Sequence, residues 1–331
     1  MKVSKRVRLE DVAAEVGLSP ASVSLVLRGV AGPSAETRER VLAAATRLGY
    51  RADRTASLLA RRRTHLLGVP VALRDAFRAE LAEELQLAAD AAGYAVALSA
   101  LTPVHDEARV VEDLLDLRCE ALVLLSPSLT PAALAELGAR VPLAVLGLRI
   151  PPDGFDVVRV ADDVGVAAAV EHLVGLGHRR IVHVDGGAEP MAPVRRAGFR
   201  AASAGLPARV VPGGADEAAG AAAGRALLAE LPTAVVTAND RSAIGLLDVF
   251  VRAGVRVPED VSVVGFDDSA LARLSHIDLT TVSQEAAGQA DRAVAAVLER
   301  LDGGRAEPTE SVLPPRLVVR GTTAPPAVSA R

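Results

Sequence analysis

Side chains able to do covalent or metal chemistry are sparse and scattered in this 331-residue sequence. Cys119 is the only cysteine, and nothing near it in sequence suggests an activating base, so it reads as a small core residue. The six histidines are dispersed, and no group of His, Cys, Asp or Glu has metal-ligand spacing. Asp267-Asp268 suggests paired carboxylates, but adjacent residues at a strand end point opposite ways. There is no glycine fingerprint after a strand, no P-loop and no nucleophile elbow. An enzyme is therefore not expected, nor is a cofactor or a metal. A lone cysteine forms no intrachain disulfide, which fits a reducing cytoplasm. The basic N-terminus is not followed by an apolar run of signal-peptide length, and runs such as Ala121 to Leu125 and Val261 to Val264 are too short to span a bilayer. No membrane partner is expected.

What is concentrated is charge. Residues 1–63 hold 13 Lys plus Arg against 6 Asp plus Glu, a net +7; the other 268 hold 24 against 35, a net −11. A basic head on an acidic body suits a polyanion bound at one end.

The elements in that head have a definite order. Leu9 to Val16 reads as a helix with Val12, Ala13 and Val16 on one face, ended by Gly17, which tolerates a left-handed turn; Leu18 then points back into the core. Ser19 is a good N-cap with Pro20 at the first helical position, and a second helix runs to about Arg28 with Val23, Val26 and Leu27 buried. Ser34 caps a third helix, Ala35 to Leu48, closed by Gly49. Its inward face is predicted as Val41, Leu42, Ala45 and Leu48, with Arg38, Arg40 and Arg47 outward. A three-residue, Gly-containing turn between the first two helices makes a helix-turn-helix, whose second helix would lie in the major groove of DNA.

Leu9-Glu10-Asp11-Val12-Ala13-Ala14-Glu15-Val16-Gly17-Leu18-Ser19, Ser22-Val23-Ser24, Ser34-Ala35-Glu36-Thr37-Arg38 and Leu48-Gly49-Tyr50 run without a gap in order or spacing. Together they resemble the headpiece of the lactose/galactose-repressor (LacI/GalR) family. The resemblance implies that residues 20, 21 and 25 read bases and that Ser19, Ser22, Ser34, Thr37 and Tyr50 hold phosphates. Pro20 and Ala21 offer no side-chain hydrogen bond, and Leu25 stands where the family often has a guanine-reading arginine. An apolar contact to a thymine methyl is the natural substitute. Arg8 replaces the small hydroxyl residue that usually caps the first helix, so that end is expected to fray.

Residues 51–63 follow, too short to be stably helical as free peptide. In the family this hinge folds into a helix on the operator. Leu59 aligns with the leucine wedged into the minor groove, Ala56 with the small residue at the helix–helix contact, and Ala52 replaces a usual proline.

From residue 64 to about 320, apolar strands alternate with amphipathic helices. Leu66 to Val71, Tyr94 to Ser99, Ala121 to Leu125 and Leu143 to Leu146 read as buried parallel strands, with helices near 76–92, 106–118 and 131–139. A second series begins with Val157 to Val160 and continues through Ile181 to Val184, Thr233 to Thr237 and Val261 to Phe266, with helices near 163–176, 193–205, 216–230 and 240–253. Two such series predict two doubly wound α/β lobes with a ligand cleft at the carboxyl ends of the strands. Several blocks match the family's sensor domain, which resembles periplasmic sugar-binding proteins: Glu171-His172-Leu173, Leu176 to Ile181, Arg195-Arg196-Ala197-Gly198-Phe199, Ala238-Asn239-Asp240, Val261 to Asp268, and Leu279 to Val282 with Gln284. The resemblance implies that Arg195, Asn239 and Asp267 hydrogen-bond a small-molecule effector and that Phe77 walls the cleft from the other lobe. His178 reads as shaping a loop. Gly147 stands where some members have a ligand-binding aspartate, and Ala215 where many have an aromatic that stacks on the ligand.

Residues 321–331, rich in Ala, Pro and Thr, are expected to be disordered, and they lack the leucine heptads of a tetramer. Double-stranded operator DNA of two-fold symmetry then implies a homodimer. The competing readings are a solute-binding protein of the same fold, against which the headpiece counts, and a regulator that has lost its effector.

Overall fold

The computed structural model describes residues 7–27, 32–50 and 63–327. It divides into two compact units, one ending at Thr64 and the other starting at His65.

In the first unit α1 (Leu9–Val16), α2 (Pro20–Leu27) and α3 (Ala35–Leu48) enclose a small core of Val12, Ala13, Val16, Val23, Val26, Val41, Ala44 and Ala45. Gly17 and Gly49 close α1 and α3 with φ of 67° and 66°, conformations that a side chain disfavours. Two expectations change here. Leu42 is 47 % exposed, and Ala44 takes the inward position; Val41 and Ala45 already span the face toward α1 and α2, and 42 lies a further 100° round the helix. The start of α1 is also not left open, because Asp11 Oδ2 accepts the Arg8 N–H at 2.7 Å, the carboxylate half of a capping box. The hinge residues Ala52, Ala56 and Leu59 lie outside the described residues.

In the second unit two six-stranded sheets each carry helices on both faces. The first has the order β11 (Glu310–Leu313), β5 (Asp156–Val160), β4 (Leu143–Leu146), β3 (Ala121–Leu125), β1 (Leu66–Val71), β2 (Ala95–Ala100), all parallel. The second has the order β12 (Arg316–Val318), β10 (Thr280–Ser283), β9 (Ser262–Asp267), β8 (Ala234–Thr237), β6 (Ile181–Val184), β7 (Arg209–Val211), with only β12 antiparallel. The helices are α4 (Ala76–Ala91), α5 (Glu107–Asp116), α6 (Pro131–Arg140), α7 (Asp162–Gly175), α8 (Ala192–Ala202), α9 (Glu217–Leu227), α10 (Asp240–Arg252) and α11 (Ala286–Leu301).

Burial on both faces explains why the central strands are continuously apolar. Ala121, Val123 and Leu125 of β3 face α4 and α11, while Leu122 and Leu124 face the side of α5 and α6. Each fully buried leucine contributes roughly 1.5–3 kcal/mol. Four of the five phenylalanines, Phe155, Phe199, Phe250 and Phe266, are fully buried; the fifth is Phe77.

Connectivity departs from a simple two-part division. Val157 to Val160, expected to open the second series, belongs to the first sheet, where β5 pairs with β4 and β11. The chain crosses to the second lobe between β5 and α7, returns between β10 and α11, and crosses again between β11 and β12. Helix α11 therefore packs on the first sheet through Ala290, Ala293, Val294 and Val297.

The C-terminal segment is also ordered through Ala327, contrary to expectation. Thr322 is buried; its hydroxyl donates to the Val263 carbonyl at 2.7 Å and accepts the Thr280 N–H at 2.9 Å. The Ala324 carbonyl accepts from His178 Nε2 at 2.9 Å and from the Ser262 hydroxyl at 3.1 Å. Composition suggested disorder, but Thr322 and Ala324 find buried partners on β9 and β10. Thr322→Val strands the Thr280 N–H and the Val263 carbonyl. A loss of about 1–3 kcal/mol is expected in urea unfolding, and an unchanged midpoint would contradict this docking.

Candidate functional site

The headpiece surface is built by caps. Ser19 Oγ accepts the Ser22 N–H at 3.2 Å and lies 2.9 Å from Ser22 Oγ. Ser34 Oγ repeats the pattern on Thr37, at 3.2 Å to the N–H and 2.9 Å to the hydroxyl. Each pair sits at a helix N-terminus, where N–H groups and hydroxyls suit a phosphate. Pro20 and Ala21 are exposed and Leu25 is half-buried, so the expected reading positions lie on the surface of α2. Tyr50, half-buried after Gly49, packs against the headpiece core. Of the expected DNA contacts, Ala56 and Leu59 lie outside the described residues.

A cleft with about 70 Å³ of free internal volume separates the two lobes of the second unit. Its walls are loops that follow β1, β3 and β4 on one side and β6, β8 and β9 on the other, the carboxyl ends of parallel strands. Phe77, Arg195, Asn239 and Asp267 all line it, as do Gly147 and Ala215.

Arg195, on α8, is held from three sides. Its Nε donates to Asp162 Oδ1 at 2.6 Å, its Nη1 donates to the Ala238 carbonyl at 2.6 Å, and its guanidinium lies 3.7 Å from the centre of the Phe266 ring. Asp267 Oδ1 is 4.0 Å from Nη1, so the strong pair is with Asp162, and the second carboxylate is left to other donors. Gln284 supplies one, donating to Asp267 Oδ1 at 2.6 Å. Burial, with the charges of Asp240 and Asp75, pushes Asp267 well above the usual carboxylate range, and Arg195 opposes that rise. Its backbone φ of 123° is in a region that side chains rarely adopt, as at many ligand sites. Behind it, burial raises Asp240 to about 6, although the Thr281 hydroxyl and the Ser269 N–H and hydroxyl all donate to it.

Asn239 caps α10. Its Oδ1 accepts the Ser242 N–H at 2.9 Å and its Nδ2 donates to the Ala215 carbonyl at 3.0 Å, leaving one amide hydrogen for the cleft. Gly147 has φ 71°, and a Cβ there would lie 2.6 Å from Ser126 Oγ, so backbone and neighbour both oppose a side chain. His178 is buried and outside the cleft.

The sequence reading missed Asp75, Arg78, Ser126, Glu189, Gln284 and Gln289 as cleft residues. Asp75 caps α4 by accepting the Arg78 N–H at 3.1 Å, and Arg78 Nη2 pairs with Glu189 of the opposite lobe at 3.1 Å. A second ion pair joins the lobes, Glu80 Oε2 with Arg273 Nη2 at 2.6 Å. The N-cap pattern at Asp75 was the available signal, since it marks the loop after a strand.

His183 lies beneath this wall, fully buried and stacked on Phe199 at 5.1 Å; its Nδ1 donates to the Val236 carbonyl at 3.0 Å and its Nε2 has no partner. Burial lowers it to about 4, so the fold favours the neutral ring. The stability it contributes is present above the unfolded value of about 6.5 and is lost as pH falls toward 4. The difference in unfolding free energy between the parent and His183→Phe is therefore expected to fall by about 2 kcal/mol from pH 7 to pH 5; a flat difference would mean that the ring titrates normally.

Three helices with a helix-turn-helix turn, on the same chain as a two-lobed α/β cleft, define a DNA-binding protein with a ligand-sensing domain. The comparisons agree for both units. Residues 8–53 match the model "Bacterial regulatory proteins, lacI family", and residues 170–323 match "Periplasmic binding protein-like domain". The chain is 34 % identical over 336 residues to the transcriptional regulator MalR of Streptomyces coelicolor, covering 96 % of each. Among solved structures, the Lac repressor dimer bound to operator and an anti-inducer superposes with a TM-score of 0.83 at 29 % identity, covering 97 % of this chain and 100 % of that one. The complex of the regulator CelR with cellobiose gives 0.70 at 30 % identity, covering 96 % and 100 %. The chain belongs to the LacI family of transcription regulators. No helix among the described residues is long and apolar enough to cross a membrane.

Proposed function

We propose that this protein represses transcription by binding a palindromic operator as a homodimer inside the cell, and that a small polar metabolite in the cleft alters its grip on DNA. The observation that carries the reading is that one chain joins a capped helix-turn-helix surface to a cleft lined by both Arg195 and Asp267. Ser19, Ser22, Ser34, Thr37 and Tyr50 would hold phosphates, Pro20, Ala21 and Leu25 would face bases, and Ala56 and Leu59 would serve the minor groove. Phe77, Arg195, Asn239 and Asp267 would hold the effector. The operator-bound Lac repressor dimer supports the DNA partner and the dimer, and the cellobiose complex of CelR supports a sugar-like effector. Ala215 and Gly147 favour a ligand bound by hydrogen bonds and Phe77 alone rather than by stacking from both lobes. Unpaired apolar surface on the edge strand β2, with Leu98 53 % exposed, and Leu87 of α4, 63 % exposed, supports self-association.

Effector binding would compete for Arg195 and for the Asp267–Gln284 contact, and Gln284 lies on the crossover between β10 and α11. The cross-cleft pairs of Arg78 and Glu80 would shift with it, so that the ligand biases two lobe arrangements of different DNA affinity. The test is selection of genomic fragments by the purified protein, followed by titration of the recovered site with a panel of sugars and polyols. One palindrome, released or tightened by one compound, supports the reading; salt-sensitive binding without sequence preference overturns it.

A further inference from the structure

The reading helix has no group that identifies a base by hydrogen bonding. Residues Pro20–Leu27 carry no charge in either end turn. Val23 and Val26 are buried in the headpiece core. The Ser19 and Ser22 hydroxyls are tied to each other and to the helix start at 2.9 and 3.2 Å. The helix spacing places Pro20 and Ser24, and Ala21 and Leu25, on one face; Pro20 and Ala21 are exposed there and Leu25 is half-buried. Guanine is picked out by a fork of donors and adenine by an amide, and this face holds neither. A serine hydroxyl such as that of Ser24 both donates and accepts, so it separates bases poorly.

The base feature that an apolar face does distinguish is a methyl group on C5 of a pyrimidine. Thymine has it and cytosine lacks it, but 5-methylcytosine presents the same methyl at the same place in the major groove. We propose that the headpiece reads this methyl through Leu25, with Pro20 and Ala21 beside it, so that 5-methylcytosine substitutes for thymine and cytosine methylation can create or strengthen an operator. The proposal rests on the operator-binding reading above.

The test uses the full-length protein and the palindrome recovered by genomic selection, with fluorescence anisotropy at one fixed salt concentration. Each thymine of the half-site is replaced by deoxyuridine, which keeps base pairing and removes only the methyl. At each position found sensitive, a C·G pair is then compared with its 5-methylcytosine counterpart. Loss of one buried methyl is expected to weaken binding about fourfold per position, and 5-methylcytosine to bind about fourfold more tightly than cytosine. In Leu25→Ala this methyl dependence should shrink toward onefold while salt-dependent binding to random DNA persists, showing an intact headpiece. Sequence-specific binding that is indifferent to every uracil substitution overturns the proposal and leaves operator recognition standing. Methyl dependence undiminished in Leu25→Ala also overturns it. Binding without sequence preference overturns both readings.

Discussion

Replacing Arg195 by alanine is expected to lower the free energy of unfolding by about 3–5 kcal/mol, the usual consequence of stranding one partner of a buried ion pair. The side chain of Asp162 is 3 % exposed and that of Arg195 12 %, so neither charge is rescued by solvent. The Ala238 carbonyl would lose its donor at 2.6 Å and Phe266 the cation over its ring. Asp267 would lose the one charge that opposes its rise, and any effector gripping both residues would lose its anchor. Denaturant unfolding measures the first effect and effector-dependent change in operator affinity the second. The double variant Arg195→Ala with Asp162→Ala should recover part of the stability, because the stranded carboxylate is then gone. A loss below about 1 kcal/mol for the single variant would mean that the pair is effectively solvated.

Gly245→Ala is expected to destabilise by about 3 kcal/mol or more, at the upper end of overpacking costs. Helices α9 and α10 cross at reciprocal glycines. A Cβ on Gly245 would overlap the Glu217 carbonyl, and one on Gly220 would overlap the Ser242 carbonyl. Both obstacles are backbone, so no rotamer change relieves them. Forcing the helices apart would also move Asn239 and Asp240 at the start of α10, behind and beside the cleft. Gly220→Ala should behave alike. Gly175→Ala, with nothing within 4 Å of its added Cβ, should be neutral or stabilising by up to about 1 kcal/mol. Equal melting temperatures for the three variants would show that the crossing is loose.

The headpiece was almost wholly legible in the sequence because its information is local. Ser19 and Ser34 as caps, Gly17 and Gly49 as left-handed stops, and Val12, Val16, Val23, Val26 and Val41 as core follow from spacing within one or two turns. Leu42 shows the limit: an apolar type at a helix edge does not say which side the neighbouring helix occupies. Resemblance to a family brought Phe77, Arg195, Asn239 and Asp267 to one cleft, which no local pattern would have joined across 190 residues.

Tertiary structure decided three things that local pattern could not. Val157 to Val160 is as apolar as any strand of either lobe, so only its pairing with β4 and β11 assigns it to the first sheet. Gly321 to Ala327 reads as a loose tail, yet Thr322 meets backbone groups, and Ala324 the Ser262 hydroxyl, of strands some forty to sixty residues earlier, and that match orders them. Arg195 and Asp267 were both expected at the effector, and nothing local pointed to Asp162, which the first crossover places nearer to Arg195 and which takes the stronger contact. The elements, the caps and the basic headpiece were readable from the residues alone, since these depend on neighbours within a few positions. Sheet membership, the docked tail and the choice between two carboxylates depend on which distant groups arrive unpaired at one place, and only the folded chain brings them there.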